Sequence, residues 1–126
     1  MTEKDTYHIK LTMHQRIGLS NVLGAQSNEP VDALMVFYDV RKRLQVPDKL
    51  RDEYIKWTGP VPGWDYNTLT IAPGFEIDLQ LEEFRRVKRL IDTYNQFNVR
   101  DLEDWVLNLR EKLNEAESVA KKDGHL

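Results

Sequence analysis

Between Trp57 and Leu79 the sequence carries three glycines, three prolines, two tryptophans, a tyrosine and a phenylalanine. No helix runs through such a stretch, because each proline lacks a backbone donor and fixes φ, and each glycine adds conformational freedom that folding must remove. The chain is thereby divided into two helical halves around an aromatic centre. That centre is either a folded hairpin fixed to a helical core or an exposed recognition element, since large aromatic side chains serve both cores and interfaces.

The rest of the composition is that of one folded unit. A chain of 126 residues buries a sizeable core without disulfides or metals, so a single domain is expected over 1–126, ordered from 7 to 119, with 120–126 as a fraying tail. Apolar residues at 40% and charged residues at 31% exclude intrinsic disorder. The absence of cysteine removes disulfides, thiol nucleophiles and thiolate metal sites, and fits a reducing cytoplasm. Residues Met1 to Lys10 include Glu3, Lys4 and Asp5 and lack the apolar run of a signal peptide. No apolar run approaches the roughly 20 residues that span a bilayer. A cytoplasmic protein with no membrane contact is expected. The net charge of −3 gives no global attraction to nucleic acid, which would need a local basic patch.

Periodicity places the elements. Tyr7-His8-Ile9-Lys10-Leu11 alternates as a half-buried strand does. Thr12-Met13-His14-Gln15 has the form of a capping box, which predicts a helix over 13–23 with Met13, Ile17, Leu19, Val22 and Leu23 on its apolar stripe. Gly18 weakens its interior and Gly24 ends it. Asn28-Glu29-Pro30 signals a second helix, with Asn28 as cap and Val31, Leu34, Met35, Phe37 and Tyr38 recurring at helical spacing to Leu44. Asp48 is placed to cap a third helix carrying Leu50, Tyr54 and Trp57. Leu69–Ile71 and Phe75–Leu79 both alternate around Ala72-Pro73-Gly74, predicting a central β-hairpin with a loop longer than two residues. From Leu81 the period is helical again through Phe84, Val87, Leu90, Ile91, Tyr94 and Phe97. Asn98 caps a last helix, with Leu102, Trp105, Val106, Leu109, Leu113 and Ala116 inward, reaching about Val119. The fold class expected is α+β, predominantly helical, with four to five helices, a short N-terminal strand and a central hairpin.

Catalytic and metal signatures do not emerge. His8 and His14 straddle a strand-to-helix boundary rather than the spacing of a helical metal pair. Ser20, Ser27 and Ser118 lack a nucleophile-elbow context. Glu82, Glu83, Asp101, Glu103 and Asp104 sit in first helical turns, where acids favour the positive dipole end. No glycine-rich phosphate loop is present. The expectation is a protein without cofactor, metal or enzymatic activity.

Two clusters remain as candidate sites. The first is basic: Arg41 and Arg43 around Lys42, and Arg85, Arg86, Lys88 and Arg89 on one helix, where helical geometry puts Arg85, Lys88 and Arg89 on one side with Arg86 flanking. The competing reading is a solvated face, because Glu82 is placed to pair with Arg86 and with Arg85 and cations near a helix C-terminus complement the dipole. The second is aromatic: Trp64 and Tyr66 lack periodic support and suit a partner surface, with Trp57 beside them on a helical stripe.

The run Leu11-Thr12-Met13-His14-Gln15-Arg16-Ile17-Gly18-Leu19, a second helix, a Trp-bearing centre, and Phe75-Glu76-Ile77-Asp78-Leu79 leading into Glu82 and Glu83 resembles the layout of small accessory proteins encoded by bacteriophages. The resemblance implies an accessory role in the host cytoplasm: binding a host or phage protein, self-assembly, or sequestering a nucleotide signal. The function expected is a non-enzymatic interaction protein, self-associating or binding a protein partner through the aromatic centre and an exposed helix face. The alternative is a binder of a small phosphate-bearing anion on the basic helix face.

Overall fold

The computed structural model describes residues 6–50, 56–58, 61–63 and 72–122. Strand β1 (Thr6–Leu11) pairs antiparallel with β4 (Phe75–Gln80), the fourth strand in chain order. Between them lie α1 (Met13–Gly24), α2 (Val31–Leu44) and a small hairpin of β2 (Lys56–Thr58) and β3 (Val61–Gly63). After β4 come α3 (Leu81–Thr93) and a long helix α4 over 99–122. The fold is α+β and mostly helical, as the periodicity predicts. No helix among the described residues is long and apolar enough to cross a membrane.

The register of the long-range ribbon follows from its side-chain pattern. Tyr7 faces Leu79, Ile9 faces Ile77 and Leu11 faces Phe75, so one face is apolar throughout. A slip by one residue would turn that set into solvent. The helices cover this face, and Tyr7 stacks on Phe84 of α3 with ring centroids 4.2 Å apart. Phe84, Val87, Val40, Leu44, Leu109 and Leu113 form the centre of the core.

Among the described residues β4 pairs with β1, and the Leu69–Ile71 strand of the expected hairpin lies outside the described residues. Two local expectations are corrected. A helical turn does follow Pro47 at 48–50, but Trp57 stands in β2 opposite Pro62, not on a helix. Trp57, Thr58 and Val61 are residue types that favour extended backbone. On α2 the buried stripe is Ala33, Phe37, Val40 and Leu44, while Val31, Met35 and Tyr38 are 60–70% exposed. Both stripes have helical spacing, and only packing against α1 and α3 separates them.

Helix ends follow their capping chemistry. The Gln15 amide donates to Thr12 Oγ1 at 3.1 Å and the Thr12 amide to Gln15 Oε1 at 3.0 Å, the reciprocal box predicted. Asn28 does not cap α2: it turns the chain at φ 61°, and Pro30 holds the cap position with no side-chain bond. Helix α3 stops at Thr93, earlier than the periodicity suggests, and Tyr94 and Phe97 fold back as an edge-to-face pair. Asn98 Oδ1 accepts from the Asp101 amide at 2.7 Å to start α4. Within α4, Leu102–Val106 forms a π turn in which the Leu107 amide donates to the Leu102 carbonyl. The helix continues through Lys122, beyond the expected end at Val119.

Candidate functional site

Helix α3 turns Phe84, Val87, Leu90 and Ile91 into the core, which leaves its arginines on the remaining arc. Arg85, Arg86 and Arg89 line a cleft of about 490 Å³ between α3 and α2, where Phe37 and Leu90 add apolar surface. Glu29 and Glu82 also border it, so three guanidinium groups face two carboxylates. Glu82 is already engaged, its Oε1 lying 3.2 Å from Nη2 of Arg86. Arg85 and Arg89 are exposed, and neither guanidinium makes an ion pair with a described residue. The expected pairing of Arg85 with Glu82 is therefore not made.

The spacing on α3 makes this arrangement informative. Two i,i+4 pairs on the helix are of opposite charge, Glu82 with Arg86 and Lys88 with Asp92 at 3.1 Å. Arg85 and Arg89 are the like-charged pair at the same spacing, a placement that costs a helix about 0.2–0.5 kcal/mol. Their forks are one turn apart on the cleft wall. That geometry suits an anion with several acceptor oxygens, since guanidinium groups bind phosphate and carboxylate in bidentate fashion. The first turn of α2, bordered by Glu29 and Ala33, contributes the positive end of its dipole.

The other basic residues singled out in the sequence are held elsewhere. Arg41 donates from Nε to the Ser20 carbonyl at 3.0 Å and lies against Gly24, where a Cβ would come within 2.7 Å of the guanidinium carbon. Arg43 donates to the Asp78 carbonyl at 2.7 Å and pairs with Glu83, joining α2 to β4 and α3. Lys88 faces Asp92, which also accepts from Arg110 of α4 at 3.1 Å. Arg85, Arg86 and Arg89 are thus brought together, Arg41 and Arg43 tether elements to one another, and Lys88 is paired within α3. Trp64 and Tyr66 lie outside the described residues, and of Trp57 only its strand position is described.

Two buried polar residues, Gln15 and Arg16, make long-range contacts that the sequence reading did not assign. Gln15 not only completes the cap but donates to Asn108 Oδ1 at 2.8 Å and accepts from Lys112 Nζ at 2.8 Å, tying α1 to α4. Burial lowers the pKa of that lysine. Arg16 donates to the carbonyls of Leu44 and Gln45 at 2.8 and 2.6 Å and closes the C-terminus of α2, with its guanidinium 3.9 Å from the Phe75 ring centroid. The capping-box pattern marks Gln15 only for its local role and nothing marks Arg16, because their further contacts are with groups distant along the chain.

A second concavity, about 540 Å³, opens where the start of α4 meets α1. Tyr94, Phe97, Trp105 and His14 line it, together with Asp101 and Asp104. Phe97 meets Trp105 edge-on, centroids 5.5 Å apart at 88°. Burial holds the His14 pKa below its ordinary value, against the opposing pull of Asp104 and Asp101. No group of three His, Cys, Asp or Glu residues among the described residues is placed to hold a metal ion. Compared with known proteins, the chain matches no family model, no curated protein and no solved structure.

Proposed function

We propose that the chain is a non-enzymatic binding protein that takes a small phosphate-bearing anion in the cleft between α2 and α3. The observation that carries this reading is the exposed, like-charged pair Arg85 and Arg89, which form no ion pair with a described residue on a helix that pairs its other charges. Arg86 stands beside them and is released for an anion at the cost of a surface ion pair worth about 0–1 kcal/mol. Phe37 and Leu90 offer an apolar wall for an attached base or ring. Sequestering a nucleotide is among the tasks that the resemblance to phage accessory proteins implies. The test is calorimetric titration with inorganic phosphate and with a nucleoside monophosphate. Saturable heat with the wild type, lost in the Arg85→Ala/Arg89→Ala variant at unchanged melting temperature, supports the reading. No saturation by either probe at millimolar concentration rejects it.

A second reading is self-association through α2. Val31, Met35 and Tyr38 occupy i, i+4 and i+7 on the face opposite the buried stripe. The helix is acidic at its start, with Asp32, and basic at its end, with Arg41, Lys42 and Arg43. Two copies packed antiparallel about Met35 would cover both apolar stripes and set unlike ends together. Sedimentation equilibrium decides this: a concentration-dependent dimer abolished by Met35→Glu supports it, and a monomer at all concentrations rejects it.

A further inference from the structure

We propose that the aromatic concavity between α1 and the π turn of α4 is a second binding site, for a small organic cation of the methylated or quaternary ammonium type. The walls are rings set at steep angles to one another. Tyr94 and Phe97 are inclined at 62°, and Phe97 and Trp105 at 88°. All three rings line one space, and aromatic faces carry the negative lobe of the quadrupole. An alkylated ammonium is held by several such faces at once.

The polar groups agree with that charge. Asp101 and Asp104 border the same space. Asp101 spends one oxygen on the Asn98 amide at 3.1 Å and keeps the other. Among the described residues Arg100 is the one Lys or Arg lining the concavity. It reaches Asp104 at 3.6 Å from a position 82% exposed, a contact too solvated to hold the carboxylate firmly. His14 adds no competing charge near neutrality, because its burial disfavours the protonated ring. The site is also rigid where recognition needs it: Trp105 is 5% exposed and seated against Gly18. It lies in a π turn, a distortion that recurs at functional sites in helices. At about 540 Å³ the space is within the range of small-molecule sites.

The test pairs choline with its uncharged isostere 3,3-dimethyl-1-butanol, each titrated while the Trp105 indole N–H is followed by NMR and assigned through Trp105→Phe. Choline is expected to shift that signal saturably, and the isostere to bind at least about tenfold more weakly, the margin that one or two desolvated cation–π contacts supply. Asp104→Asn is expected to weaken choline about five- to tenfold with the melting temperature unchanged, and Phe97→Leu to weaken it while the chain stays folded. A non-saturating choline titration, equal affinity for the isostere, or an unaffected Asp104→Asn variant overturns the proposal. None of these readouts depends on Arg85 or Arg89, so this site stands or falls apart from the basic cleft.

Discussion

Trp105 fills the space that a side chain at position 18 would need: a Cβ built on Gly18 would lie 2.5 Å from Cε2 of the indole. In an open helix, replacing glycine by alanine gains up to about 1 kcal/mol. Here overpacking, which costs about 1–3 kcal/mol, opposes that gain. Gly18→Ala is expected to lower the unfolding free energy by about 1–2 kcal/mol, read by urea denaturation. A stabilised variant would show that the indole moves aside freely.

Arg16 carries a second expectation. Its two bonds to the carbonyls of Leu44 and Gln45 satisfy the end of α2 from inside the structure. Charged hydrogen bonds of this kind are worth about 1.5–3 kcal/mol, so Arg16→Met should destabilise by that order even though the methionine keeps apolar volume. Arg16→Lys should recover only part of the loss, because an ammonium lacks the fork that spans both carbonyls. Equal stability of the three proteins in urea would refute this role.

His8 sits on the exposed face of the ribbon, opposite Asp78 and diagonal to Glu76. Hydrogen bonds to Asp78 first, and to Glu76, raise its pKa above 6.5. The imidazolium's contribution is therefore complete below 6.5 and lost as pH rises through the higher folded value. An NMR titration should place the midpoint above 6.5 in the wild type and return it toward 6.5 in Asp78→Asn. The stability effect is small at so exposed a site.

His14 should behave with the opposite sign. Burial lowers its pKa, so the stability held by the neutral ring is present above 6.5 and declines as pH falls through the lower folded value. In the same titration its midpoint should fall below 6.5, and Asp104→Asn should lower it further by removing a carboxylate that favours the charged form. A midpoint above 6.5 would mean that the carboxylates outweigh the desolvation.

Local chemistry was legible in the sequence and distant contacts were not. The Thr12 and Asn98 caps, the extent of α2 and the alternation of β1 and β4 all depend on neighbours within a few residues. The partner of β4 among the described residues is a strand at the other end of the sequence, and one alternating segment nearer by, Leu69–Ile71, was the partner the pattern suggested. Helix α2 has apolar residues all round much of its surface, so spacing alone did not tell Phe37 and Val40 from Met35 and Tyr38. The basic run on α3 was visible, but which arginines are free emerged only from the places of Glu82 and Asp92. The aromatic concavity was hidden for a similar reason: Tyr94 and Phe97 extend the period of α3, and only the turn after Thr93 sends them to Trp105.

The pairing of Thr6 with Gln80 and Leu11 with Phe75 also sets an order of events during synthesis. At about 5–20 residues per second, β1 emerges several seconds before its partner exists. Through that interval Tyr7, Ile9 and Leu11 lack the strand that they face in the finished fold. The nascent chain is then most open to wrong strand pairing, and completion of β4 ends that exposure.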